Sequence, residues 1–202
     1  RGRIRVDVNG AWDLTTATTI LPLIDKAAGG LEYAEQPCPG VDDLAALRRA
    51  VDVPIAADES IRLSADPLAV ARSDAADVAV LKVAPLGGAR RAFALAERLA
   101  MPVVVSSALD TSVGMSAGVA LAAALPGPAG ACGLGTVSLL ERDVAAPSLV
   151  PGGGTLAVRP VHVSRRLLAA VVADDELTAR WQVRLGHILN ALRTRRERER
   201  DD

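Results

Sequence analysis

The stretch Ile55-Ala56-Ala57-Asp58-Glu59-Ser60 is a short apolar run that ends on a carboxylate, and 24 residues after Asp58 the run Val78-Ala79-Val80-Leu81-Lys82-Val83 carries a lysine near its end. Apolar runs of this length, closed by polar or turn residues, predict buried strands. The arrangement repeats along the chain: strand candidates occupy residues 4–8, 32–35, 55–58, 78–83 and 103–106, with a weaker one at 131–134. Helix candidates fill the gaps at 15–28, 41–51, 66–72, 88–99 and 112–125. Leu44, Leu47 and Val51, and likewise Ala92, Leu95, Ala96 and Leu99, have the one-sided spacing of helices lying on a sheet. Pro54 and Pro102 stop two of these helices just before the next strand.

The last polar residues of successive strands are Asp7, Glu35, Asp58, Lys82 and Ser106, at intervals of 28, 23, 24 and 24 residues. A near-constant βα repeat predicts parallel strands joined by right-handed helical crossovers, in either an open doubly wound sheet or a closed barrel. An open dinucleotide-binding sheet calls for a glycine-rich turn after its first strand, but Gly10 is followed by Ala11 and Trp12. A barrel instead sends side chains from successive strand ends into one mouth, and four ionisable residues occupy that register in turn. The prediction is an α/β fold of the (β/α) TIM-barrel type. Six βα units are countable, against eight in a full barrel. Residues 1–160 are read as barrel domain; residues 161–202 are read as a helical, charged tail in which 180–192 is an amphipathic helix. The segment 155–158 is read as one further short strand.

Composition narrows the function. The formal net charge is -1, with 23 basic and 24 acidic residues, so no field attracts nucleic acid or anionic lipid. Trp12, Tyr33, Phe93 and Trp181 are the whole aromatic set, too few for a base-stacking platform. The longest weakly polar stretch, 113–125, contains Ser116 and Gly118 and falls short of the roughly 20 apolar residues of a membrane span. Cys38 and Cys132 lie far apart without framework spacing, and the start has no signal-peptide pattern, so reduced thiols and a cytoplasmic location are expected. Both cysteines read as small core residues. The expected partner is a small molecule; nothing in the sequence reads out an oligomeric state.

Asp7, Glu35 and Asp58 place three carboxylates at consecutive strand ends. Like charges in one mouth repel unless a positive charge joins them or their pKa values rise. A hard divalent cation is the simplest answer; all-oxygen ligation suits Mg2+, or Mn2+, better than zinc, since His162 and His187 fall in the tail. Lys82, among apolar neighbours, must either pair with these carboxylates or lose part of its hydration, and both states suit proton transfer or enolate stabilisation. Asn9 and Glu59 either orient Asp7, the metal site or Lys82, or cap strand ends. Ser106 and Ser107 are candidates to line a substrate pocket. Gly87, Gly88, Gly133 and Leu134 either offer backbone amides to a carboxylate or simply make turns.

Arg5-Val6-Asp7-Val8-Asn9, Glu35-Gln36-Pro37, Ala57-Asp58-Glu59-Ser60 and Leu81-Lys82 resemble, in order and spacing, the barrel motifs of the muconate-lactonising subgroup of the enolase superfamily. The resemblance spans about residues 3–158. Asp7 through Trp12, Glu35 through Cys38, Ser106-Ser107-Ala108 and Thr111 through Gly114 look most like members, of actinobacterial type, that act in menaquinone biosynthesis. The resemblance implies a Mg2+ held by Asp7, Glu35 and Asp58, and a lyase that removes the proton next to a carboxylate through a metal-stabilised enediolate. It then eliminates water from a cyclohexadiene carboxylate. Lys82 would place its ammonium against the enediolate. N-acylamino acid racemases and dipeptide epimerases use the same barrel and are alternatives. The family's opposing lysine belongs to a Lys-x-Lys strand preceding the one with Asp7, and its substrate-covering cap to a separate α+β domain. Neither motif occurs in this sequence, so a truncated barrel covering about strands 3 to 8 is expected, and a catalytically silent fragment is a further alternative.

Overall fold

A computed structural model describes residues 2–127 and 130–201; Arg1 and Asp202, which the readings of residues 1–160 and 161–202 include, lie outside the described residues. Five strands alternate with helices: β1 (Ile4–Asp7), α1 (Leu14–Ala28), β2 (Leu31–Glu35), α2 (Val41–Ala50), β3 (Ile55–Ala57), the short α3 (Glu59–Arg62) and α4 (Ala69–Arg72), β4 (Val78–Lys82), α5 (Ala89–Leu99), β5 (Val103–Ser106) and α6 (Ser112–Ala124). A 3-10 turn (Thr136–Leu139) and helices α7 (Arg165–Ala169) and α8 (Asp175–Asp201) follow. All strand pairs are parallel and the order is β1-β2-β3-β4-β5, with no reversal. A doubly wound sheet changes direction at a switch point; a sheet that never does is the arc of a barrel.

Local chemistry sets these elements. Asp13 caps α1 by accepting from the Thr16 amide at 2.7 Å. Asp42 and Asp43 in the first turn of α2, with Arg48 and Arg49 in its last, complement the helix dipole. Gly118 lets α6 pack closely against Leu134, whose Cδ2 a Cβ there would meet at 2.8 Å, and lie on Val105 of β5. Gly10, at φ +70° and packed on Pro39, turns the chain out of β1 while its amide donates to the Gln36 carbonyl at 2.6 Å.

Side chains alternate across the sheet. Ala34, Ile55, Ala57, Ala79, Leu81, Val103 and Val105 face the helices and meet Leu21, Leu44, Leu47, Leu99 and Met115 in the main core. The concave face carries a second, smaller cluster of Tyr33, Ala56, Val80 and Val104. Arg5 lies over the Tyr33 ring at 4.6 Å and donates to Glu32 and to the Ala131 carbonyl.

Four expectations need correction. The segment 131–134 forms only a single bridge, Gly133 to Ser106, instead of a sixth strand, because it contributes one residue in ladder geometry. The segment 155–158 is not a strand either; Thr155 pairs with Gly152 across a tight turn. The predicted helix 66–72 is helical only over Ala69–Arg72, and the helix-forming residues instead include Glu59–Arg62, directly after Asp58. In the tail, which also holds α7, the helix α8 runs from Asp175 to Asp201, longer than the 180–192 expected, and its apolar side chains stay near half exposed.

Candidate active site

The register brings the strand-end residues to one level. Asp7 pairs with Glu35 across β1 and β2, and Lys82 pairs with Ser106 across β4 and β5. Asp58 follows β3 by one residue and caps α3, where its carbonyl accepts from the Ile61 and Arg62 amides. Even-residue spacing puts Asp7 above Arg5, Glu35 above Tyr33, Asp58 above Ala56, Lys82 above Val80 and Ser106 above Val104. Arg5 apart, the concave face is therefore apolar below, and its mouth is polar and charged.

Asp58 is fully buried and doubly paired: Lys82 Nζ donates to its Oδ2 at 2.5 Å and Arg62 Nε to its Oδ1 at 2.9 Å. Arg62 Nη2 also donates to Glu59 Oε1 at 2.6 Å, and Glu59 Oε2 is buried with no partner among the described residues. Asp7 is exposed; its Oδ1 accepts from the Asn9 amide and side chain, both at 3.0 Å. Asn9 has φ +50°, a turn that folds it back onto Asp7. Burial, with the charges of Asp7 and Asp58 added to it, pushes the Glu35 carboxyl up to about 7.

Other residues take quieter places. Ser107 is buried, and its hydroxyl donates to the Gly133 carbonyl at 3.0 Å and accepts from Thr136. Ser106 sits at the mouth, its hydroxyl 3.4 Å from that same carbonyl. The amides of Gly87, Gly88 and Gly133 donate to the carbonyls of Ala84, Val83 and Val105, so these three amides make turns and a bridge and are not free for a carboxylate. Leu134 is a core residue against α6. Cys38 is buried, which pushes its thiol up to about 11 and leaves it unreactive at neutral pH.

Sequence reasoning missed two groups. Arg62 escaped because residues 59–62 carry no helical periodicity long enough to read. Gln36 is fully buried: its Oε1 accepts from the Asp58 and Ser60 amides at 3.0 and 3.1 Å, and its Nε2 donates to Ser60 Oγ and the Cys38 carbonyl. Its place beside Glu35 was the one available signal.

The donor set suits a hard divalent cation. Among the described residues the counter-charges bonded to this group of Asp7, Glu35, Asp58 and Glu59 are Lys82 and Arg62, fewer than the four carboxyl groups, and the unpartnered Glu59 oxygen and the raised Glu35 both mark that deficit. As arranged, Asp58 spends both oxygens on cationic side chains. Among the described residues no three His, Cys, Asp or Glu side chains are grouped to hold a metal ion.

Parallel βα units with carboxylates at three strand ends and a lysine at the fourth are the arrangement of a barrel that gathers its ionisable side chains at one mouth. The chain belongs to the enolase C-terminal domain-like family, whose model matches residues 1–161. It is 58% identical over 185 residues to an o-succinylbenzoate synthase of Thermobifida fusca, a match taking in 92% of this chain and 57% of that protein. A second o-succinylbenzoate synthase, from Mycolicibacterium smegmatis, is 53% identical over 178 residues, 88% of this chain and 55% of the other. Among solved structures, 2-chloromuconate cycloisomerase from Rhodococcus opacus 1CP superposes with a TM-score of 0.77 at 28% identity, covering 85% of this chain and 49% of that one. The chain thus spans about half the length of the relatives it matches. No helix among the described residues is long and apolar enough to cross a membrane.

Proposed function

We propose that residues 1–160 carry the cation-binding and lysine part of an o-succinylbenzoate synthase-type site. The reaction is dehydration of 2-succinyl-6-hydroxy-2,4-cyclohexadiene-1-carboxylate to o-succinylbenzoate in the cytoplasm, and residues 161–202 are a tail outside the chemistry. The observation that supports this most directly is the pairing of Lys82 with Asp58 at 2.5 Å in a mouth that also holds Asp7 and Glu35.

The ring carbon bearing the carboxylate loses its proton, and the neighbouring carbon loses hydroxide, which leaves as water while the ring becomes aromatic. The difficulty lies in the charge that builds on the carboxylate oxygens as the proton departs. Mg2+, held by Asp7, Glu35 and Asp58, supplies Lewis-acid stabilisation of that charge when bound. Asn9 holds Asp7 in place through two hydrogen bonds. Lys82 is the only lysine besides Lys26, which lies in the last turn of α1, so it is the one ammonium available at the strand ends. It keeps a positive charge beside the developing enediolate in a site partly shielded from water, where such a charge lowers a barrier most. Ser106 borders the same space.

The test is a calorimetric Mg2+ titration of the chain beside its Asp58→Asn variant, with dehydration followed in the same samples. Binding by the parent that is lost in the variant is expected. Absence of binding in the parent would overturn the reading of the carboxylates. Binding without turnover would support the silent-fragment alternative, whereas turnover would show that Lys82 or another group in this chain removes the proton.

A further inference from the structure

We infer that Arg62 is a positioning residue for the cation site: by holding one oxygen of the Asp58 carboxylate it fixes the orientation of the group, so that the other oxygen is offered to the mouth. The inference rests on the reading of Asp58 as a metal ligand. It follows from the way every other degree of freedom of Asp58 is already closed. The Asp58 amide donates to Gln36 Oε1 at 3.0 Å, and its carbonyl holds the first turn of α3. Only the two side-chain torsions remain. Arg62, one helical turn further, reaches back to take Oδ1 at 2.9 Å while a second nitrogen of the same guanidinium is anchored on Glu59 at 2.6 Å. With Oδ1 occupied, Oδ2 is the oxygen that faces the mouth, and the cation now found there is the Lys82 ammonium, 2.5 Å away. A divalent ion would exchange with that ammonium and leave the Arg62 bond in place. Groups that hold the far oxygen of a ligating carboxylate set ligand orientation, and their loss usually costs 10-fold to 100-fold in metal affinity.

A guanidinium near a cation site has an opposite effect as well, since like charges repel. The two roles predict opposite signs, which makes the inference testable. If Arg62 positions Asp58, Arg62→Met weakens Mg2+ binding, by about 10-fold to 100-fold in calorimetric titration of the whole chain. Arg62→Lys keeps the charge but cannot bridge Asp58 and Glu59 as a fork, so it weakens binding by several-fold at least. If Arg62 acts through charge alone, Arg62→Met binds Mg2+ more tightly and Arg62→Lys binds like the parent. Thermal unfolding without Mg2+ is measured on all three proteins, so that lost affinity counts only where the fold is retained; Arg62→Lys serves if Arg62→Met does not fold. Tighter or unchanged binding in a folded variant overturns the positioning role and leaves the cation site standing. A parent chain that does not bind Mg2+ overturns both.

Discussion

On β5, Val104 and Val105 are adjacent and almost equally inaccessible, at 1% and 0% exposure, yet they belong to different layers. Val105 faces the helices, in a core assembled from every βα unit in turn. Val104 faces the concave side, where Tyr33, Ala56 and Val80 are its buried apolar companions, and two residues further along their strands stand the charged Glu35, Asp58 and Lys82. The outer layer closes on itself with local packing; the inner layer is narrow and partly polar. The difference teaches where this half-barrel keeps its stability and where it can tolerate strain. Carboxylates that repel one another are sustained at the mouth because the helix-facing layer carries the fold.

The sharpest way to expose that division is Glu35, which belongs to the inner face and works against stability. Its carboxyl is raised to about 7, above the 4.5 of an unfolded chain, so the folded state binds the proton more tightly. Its contribution is therefore full below about pH 4.5 and is lost as pH rises through about 7. Glu35→Gln removes this dependence. The variant should be more stable than the parent at pH 8 by about 3 kcal/mol and gain no comparable advantage at pH 5, by urea unfolding at both pH values. An equal difference at the two pH values would contradict the charge crowding. Addition of Mg2+ at pH 8 should narrow the gap by stabilising the parent alone.

The adjacent valines provide the next test, since the residue type and depth are matched. Val105→Ala removes two methyl groups from the dense outer core and should cost about 2–3 kcal/mol in urea unfolding at pH 6. Val104→Ala should cost about 1 kcal/mol, because the small Ala56 and the open mouth let the inner wall relax and admit water. Equal losses would mean that the concave face is as well packed as the convex one, and the division between layers would fail.

Much of this arrangement was legible in the sequence because it is periodic. Asp7, Glu35, Asp58, Lys82 and Ser106 recur at nearly one βα unit apart, and parallel strands with helical crossovers convert such a repeat into a ring of side chains at one level. Features that depend on single contacts were not legible. Arg62 acts from a four-residue helix, too short for an apolar stripe, and its two carboxylate partners are visible only once the turn after Asp58 is formed. The failure of 131–134 to become a strand, and the engagement of the Gly87, Gly88 and Gly133 amides by nearby carbonyls, are likewise outcomes of tertiary geometry. Composition alone cannot rank a turn against a binding amide.

The smallest effect is expected in α8, where the apolar side chains are only about half buried. In α8, Trp181, Ile188 and Leu192 are 56%, 47% and 45% exposed, although their types are those of a core. The Arg184 guanidinium lies 5.2 Å from the Trp181 ring, a local contact within the helix. Apolar groups that stay in water in the folded state gain little from folding, so their removal costs little. Ile188→Ser should change urea stability by less than about 0.5 kcal/mol, against the several-fold larger cost of Val105→Ala. A loss above about 1 kcal/mol would show that the helix is covered in solution. The two-layer account would then need a third packed surface, with Ile188 counted among the residues that hold the chain together.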